Sequence, residues 1–278
     1  MSKEKTITKN SKSNFYYAFS VLPKEKRDAI YTLYSFCRQT DDIADSEESQ
    51  FKKQKTLDYW ENELFRQFNN QSHTRFDKVW KIADRFRIPL DYFLELIKGV
   101  RMDLNSVSFG SIDDLITYCY RVASVVGLMS IQIFGYRDER VKEYAINLGI
   151  ALQLTNIMRD VGVDAKMGRV YLPEQDLENF GVNVKDILKG KITDPFLNLM
   201  QHQYDRAASF YQKATALLPD SERRNMIPSQ IMKNIYYHLL KTLQKNNFDV
   251  LQHKHEIPNL VKISIAFRTL ITEAVLSI

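Results

Sequence analysis

Glycine and proline are scarce in this chain: 9 and 7 residues in 278. That shortage removes much of the turn and bulge chemistry on which sheet-rich folds depend. Cysteine is scarcer still, with only Cys37 and Cys119. Each stands inside an apolar helical pattern, away from any CxxC or Cys/His neighbourhood, which argues against zinc. A reducing cytoplasm is the natural compartment for such a chain. The N-terminus "MSKEKTITKNSKSN" lacks the apolar core of a signal peptide. No stretch reaches the roughly 20 uninterrupted apolar residues of a membrane span. No basic tract resembles a nucleic-acid footprint, because the lysines are spread along the chain. The net charge of +5 is mild and permits an anionic substrate or an anionic membrane surface.

What is present is helix-forming sequence. From Ser13 onward apolar residues recur at spacings of three and four. This period predicts helices over 14–20, 24–45, 50–69, 73–85, 90–104, 111–134, 138–163, 193–218, 227–246 and 258–277. The prolines fall between these segments or at their ends. Residues 1–10 read as a disordered N-terminus. The stretch 164–192 reads as irregular with short helical turns, and loops of that length are often functional. "RRN" at Arg223 and Arg224 reads as a solvated loop. The last segment, "NLVKISIAFRTLITEAVLSI", reads as an amphipathic packing helix, with membrane-surface contact compatible. No linker divides the chain, so one all-α domain over 11–278 is expected.

Two acidic stripes stand out. In "IYTLYSFCRQTDDIAD", a helix turning about 100° per residue puts Tyr34, Arg38, Asp41 and Asp45 within an arc of roughly 60°, with Asp42 beside them. Aspartates four apart repel and destabilise a bare helix, and a divalent cation removes that cost. Alone, the stripe reads equally as the solvated end of a helix. In "LQLTNIMRDVGVD", Gln153, Asn156, Asp160 and Asp164 fall within roughly 80° of one another, and Arg159 adjoins them. That helix is too apolar for a surface helix, so its polar face needs partners. The two stripes together suggest two helices facing each other across a cavity, with cations offsetting the repulsion.

"DDIAD" and "NIMRDVGVD" resemble the two aspartate-rich motifs of squalene and phytoene synthases, the head-to-head prenyl transferases. "YCYRVASVVG", "LGIALQLTNIMRDVG" and "GRVYLP" are similar to further signatures of that family. Within it, "SNFYYAFSVLP", "ASVVGLMSIQIFGY" and "QIMKNIYYHLLKTLQKNNFDVL" look most like bacterial presqualene diphosphate synthases of the hopanoid and squalene pathway. The resemblance implies a single-domain helical bundle of the isoprenoid-synthase type with a central cavity. It implies magnesium on Asp41, Asp45, Asn156, Asp160 and Asp164, with Asp42 and Asp103 as further acidic positions. It implies diphosphate contacts from Tyr34, Arg38, Gln153 and Arg159, and a flap at Ser11, Lys12 and Ser13. Tyr118 and Tyr236 would border the active site, and Lys254 and Lys262 would stand at its phosphate end. Asn10 replaces a common His, Asn14 is an extra residue, Lys254 stands where Arg is usual, and Val163 replaces a common Glu.

The implied reaction joins two farnesyl diphosphates into presqualene diphosphate, with Tyr34, Arg38 and the aspartates as catalytic groups. Phytoene, dehydrosqualene and complete squalene synthases share the same motifs, and NADPH is required only if the product is squalene. A non-catalytic helical scaffold or lipid-binding protein is the reading from another class. No obligate protein partner is implied. A peripheral location at the inner face of the cell membrane, for product release, is compatible with the chain.

Overall fold

The structure, a computed structural model, describes residues 14–69, 75–104 and 108–276. The flap residues Ser11, Lys12 and Ser13 and the N-terminal ten residues lie outside that range. The described residues form one all-α domain without strands.

The helices are α1 (Asn14–Phe19), α2 (Lys24–Asp45), α3 (Gln50–Phe68), α4 (Asp77–Phe86) and α5 (Leu90–Leu104). Then come α6 (Ile112–Cys119), a π-helical turn (Tyr120–Ser124), α7 (Val125–Phe134) and α8 (Arg140–Lys166). Two short helices, α9 (Glu174–Asn179) and α10 (Val184–Leu188), occupy the stretch read as irregular. They are followed by α11 (Asp194–Leu217), α12 (Ile227–Lys245) and α13 (Asn259–Leu276).

The boundaries have local causes. Ser49 caps α3 by accepting from the Lys52 amide, and Thr193 caps α11 by accepting from the Phe196 amide. Ser111 and Asp114 form a reciprocal capping box at the start of α6. The helix predicted over 73–85 spans Asp77–Phe86.

The helix predicted as continuous over 111–134 is broken by its π turn, for which period alone carries no signal. The turn has a packing partner: Ser124 Oγ donates to the Ile146 carbonyl of α8 at 2.8 Å. A Cβ on Gly149 of α8 would lie 2.5 Å from Ser124 Cα, so the two backbones touch. Gly99 of α5 meets Val122 and Arg121 just as closely. These glycines let helices cross in contact, as helix packing predicts for Gly99; the same holds for Gly127, which abuts the Ala145 carbonyl. The segment Ile112–Phe134 is long and apolar enough to cross a membrane by length and composition. Here it packs within the bundle, against α5 and α8.

α8 is the central pillar. Its 27 residues extend about 40 Å and touch α6, α7, α10, α11 and α12. Its apolar side chains are buried on more than one side, as expected of an interior helix.

Candidate active site

α1, α2, α7, α8, α12 and the start of α13 enclose a cavity of about 810 Å³. One end is polar. Tyr34, Arg38 and Asp41 reach it from α2, and Gln153, Asn156 and Arg159 from α8. Lys254 and Lys262 reach it from the C-terminal part of the chain, and Tyr236 from α12. Away from that end the lining includes Ile131, Phe134, Tyr144 and Pro228. Tyr144 is fully buried there, and its hydroxyl donates to Ser229 Oγ at 2.8 Å. Part of each stripe therefore faces one space, Tyr34, Arg38 and Asp41 from α2 and Gln153 and Asn156 from α8, with apolar lining beyond them.

The carboxylates are linked through Asp103, at the end of α5. Asp41 is pushed up to about 7, first by burial; Arg38 opposes this, while Asp103, Asp45 and Asp42 add to it. Asp164 is raised to about 7 by burial and by Asp160, with Asp103 contributing and Arg169 and Arg159 opposing. Asp103 itself is raised to about 6 by burial and held back by two phenols. Tyr171 donates to it at 2.9 Å and Tyr118 at 3.2 Å. One carboxylate thus feels both stripes, since Asp103 adds to the rise at Asp41 and at Asp164.

Several predicted residues stand behind the cavity wall. Asp42, Asp45, Asp103, Tyr118, Asp160 and Asp164 are absent from the lining. Asp45 and Asp42 are half exposed, and Asp42 accepts from Arg38 at 2.8 Å and lines a separate groove with Gln39 and Lys53. Tyr118 reaches the site only through Asp103. Arg159 is bound to Asp160, Nε to Oδ1 at 2.8 Å. Burial works against its charge, but Asp160 and Tyr236 hold it firmly protonated. Lys254 pairs with Glu256 at 3.1 Å. Lys262 is buried, and burial lowers its ammonium pKa.

The donor set fits a hard divalent cation. Asn156 Oδ1 is buried without a hydrogen-bond partner, while its amide nitrogen donates to Gln153 Oε1 at 3.3 Å. A carbonyl oxygen left free among repelling carboxylates is the ligand type that magnesium takes. No three His, Cys, Asp or Glu side chains converge on one point among the described residues. A cation held here would need further ligands from water or from phosphate oxygens, as magnesium commonly has.

The squalene/phytoene synthase family model matches residues 8–261. The chain belongs to that family. It is 35% identical over 271 residues to 15-cis-phytoene synthase of Synechococcus elongatus, covering 92% of this chain and 88% of the relative. It is 37% identical over 276 residues to phytoene synthase of Arthrospira platensis, with the same coverage. Among solved structures it resembles a dehydrosqualene synthase with bound ligand, at a TM-score of 0.83 and 27% identity over 98% of this chain and 95% of that one. It also resembles squalene synthase HpnC of Alicyclobacillus acidocaldarius, at a TM-score of 0.78 and 26% identity over 88% and 94%. The isoprenoid-synthase-type bundle read from the motifs is the one observed.

Two residues of this family member's site escape sequence reasoning. Arg169 extends to Asp45 at 3.5 Å and opposes the charge of Asp103 and Asp164. Tyr171 holds Asp103. Both lie in "GRVYLP", which is recognisable as a signature but sits in an irregular stretch with no periodicity to assign a face. Tyr171→Phe removes one donor to Asp103. The acid limb of catalysis is expected to move up by roughly one pH unit, because a hydrogen bond to a carboxylate contributes about 1–2 kcal/mol. A pH–rate profile checks this; an unmoved acid limb would count against Asp103 as the bridge.

The raised carboxylates also set the sign of a stability profile. Asp41 and Asp164 have folded pKa values of about 7, above 3.8 in the unfolded chain. The folded state therefore binds protons more tightly, and that stabilisation is complete below about pH 4 and lost as pH rises through about 7. In metal-free protein these groups lower Tm between about pH 5 and about pH 8. Magnesium with inorganic pyrophosphate should restore Tm most at the alkaline end. A ligand-induced rise that is equal at both pH values would contradict the assignment.

Proposed function

We propose that this family member is a magnesium-dependent prenyl transferase that joins two farnesyl diphosphates head to head into presqualene diphosphate. The observation that carries this is the division of one cavity into a charged end and a mainly apolar body. Tyr34, Arg38 and Arg159 bind and orient a diphosphate at the charged end. Bound at Asp41, Asp45, Asn156, Asp160 and Asp164, magnesium would act as a Lewis acid on the diphosphate oxygens. Arg38 and Arg159 stabilise the negative charge that develops as the C1–O bond breaks. The allylic cation left behind is attacked by the double bond of the second prenyl diphosphate. Loss of a proton to the departed diphosphate then closes the cyclopropane ring. Leu148 and Leu152, on the α8 turns next to the charged end, keep water from the cation, which water would quench.

The depth of the cavity supports farnesyl substrates. From Arg159 at the charged end to Tyr144 at the floor are 15 residues of α8, about 22 Å. That length takes a fifteen-carbon isoprenoid chain with its diphosphate at the charged end.

A second reading is phytoene synthase, which would use geranylgeranyl diphosphate. It is favoured by the names of the relatives that are 35% and 37% identical. Competition decides: purified protein is given equal farnesyl and geranylgeranyl diphosphate with magnesium and no NADPH, and products are identified by mass. Presqualene diphosphate in excess is expected. Phytoene in excess would overturn the farnesyl assignment and leave the head-to-head chemistry standing.

A further inference from the structure

α2 borders a second space, on a different side of the helix from Tyr34, Cys37 and Asp41. Gln39, Asp42, Ile43 and Ser46 share that side by helical spacing and face a groove of about 360 Å³. Lys53 and Trp60 of α3 form another wall, and Arg75, just before α4, joins them.

A buried donor in this groove has nothing to donate to. Trp60 is 3% exposed, and its indole Nε1 is buried without a hydrogen-bond partner. Its ring has Phe36 at 5.8 Å and Phe76 at 5.0 Å, with the Arg75 guanidinium 4.6 Å above it. A phenylalanine would pack there without leaving a donor unpaired, whose burial costs about 1–3 kcal/mol. Buried polar groups in folded proteins generally have partners.

The charges around the ring are unevenly paired. Both carboxylates of the lining are taken, Asp42 by Arg38 at 2.8 Å and Glu48 by Lys52 at 2.8 Å. The two cations have only neutral partners among the described residues. Lys53 Nζ donates to the Ala44 carbonyl at 2.7 Å, and Arg75 donates to Gln39 Oε1 at 3.5 Å, a long bond. An indole N–H, a guanidinium and an ammonium thus border one space with donors to spare. We propose that this groove binds a small phosphate-type oxyanion, at a site separate from the charged end of the cavity.

The lining selects that class. Guanidinium and ammonium groups bind phosphate oxygens through charge-assisted hydrogen bonds. A metal cation would find Asp42 and Glu48 already neutralised and would be repelled by Lys53 and Arg75. A prenyl diphosphate is too large, because the groove has less than half the 810 Å³ of the main cavity and offers only Ile43 and Trp60 as apolar surface. The free inorganic ion is therefore the ligand. The site stands whether or not the cavity condenses prenyl diphosphates.

The chain has two tryptophans, so Trp80→Phe leaves Trp60 as the sole indole reporter. Full-length Trp80→Phe protein in EDTA is titrated with sodium diphosphate and, at matched ionic strength, with sodium chloride. A saturable shift of the Trp60 emission is expected with diphosphate and not with chloride. Arg75→Gln in that background should raise the apparent Kd about tenfold or more, the worth of one hydrogen bond to a charged group, at unchanged melting temperature. Arg159→Gln, which removes a cation from the main cavity, should leave the titration as it was. Emission that stays still, or moves equally with chloride, would overturn the proposal, since the groove then holds only water. So would a titration that Arg75→Gln leaves untouched or that Arg159→Gln abolishes, because the signal would then come from elsewhere. A shift produced by magnesium chloride alone, without EDTA or diphosphate, would assign the groove to a cation and overturn it equally.

Discussion

Asp41→Asn is expected to lower the turnover of farnesyl diphosphate by about 10²–10³-fold, the range seen when one preorganised charge-stabilising group is removed. Asp160→Asn should do the same from the opposite helix. The two defects share a cause, although the residues are more than a hundred positions apart in sequence. Each removes one anchor for the cation that offsets the repulsion running through Asp103. Asp41→Asn has a second, opposite consequence. Burial and like charges raise the Asp41 carboxyl to about 7, so its ionised form works against folding at alkaline pH. The Asn variant should therefore melt higher than wild type near pH 8 without metal, and gain less from magnesium with pyrophosphate. Steady-state kinetics and paired melting curves check both halves. Turnover within about threefold of wild type would sink the role of Asp41, since so small a loss is under 1 kcal/mol.

Gly162→Ala should produce the largest loss of stability. Its Cβ would stand 2.8 Å from Leu251 Cα and closer still to the Val250 carbonyl oxygen. Both are backbone atoms, so no side-chain rotation relieves the clash. Overpacking costs typically about 1–3 kcal/mol, and a backbone obstacle places this case at about 3 kcal/mol or more. Gly162 lies between Asp160 and Asp164 on α8. Relief by moving α8 away from the 250–251 segment would displace both aspartates. Melting temperature and activity should thus fall together, in contrast to Asp41→Asn, where they move apart. Thermal denaturation with circular dichroism measures the first and initial rates the second. An unchanged melting temperature would mean that the 250–251 segment yields easily.

Much of this was legible in the sequence, for identifiable reasons. α2 and α8 are long and strongly patterned, so their faces follow from a rotation of 100° per residue, and the stripes Tyr34–Asp45 and Gln153–Asp164 needed no tertiary information. The approach of those stripes was inferable because buried carboxylates demand partners. The bridge between them was not. Asp103 appears from the sequence as one acid at a helix end. Only the fold brings Tyr118 to it from one segment and Arg169 and Tyr171 from another. The glycines show the same limit: Gly149 and Gly162 look like weak points in a helix until the backbones they admit are seen. α13 shows a different one. Val261, Ile265, Ala266 and Leu270 pack on the core as the pattern predicts, but the buried Thr269 and Glu273 among them find partners in Asn234 and Arg223, which the sequence does not bring together.

The most direct measurement is the mass of what the purified protein makes from farnesyl diphosphate alone, with magnesium and without NADPH. The account predicts a thirty-carbon product that retains one diphosphate, with one inorganic diphosphate released per two substrates consumed. Release of farnesol without carbon–carbon bond formation, or no consumption at all, would contradict it.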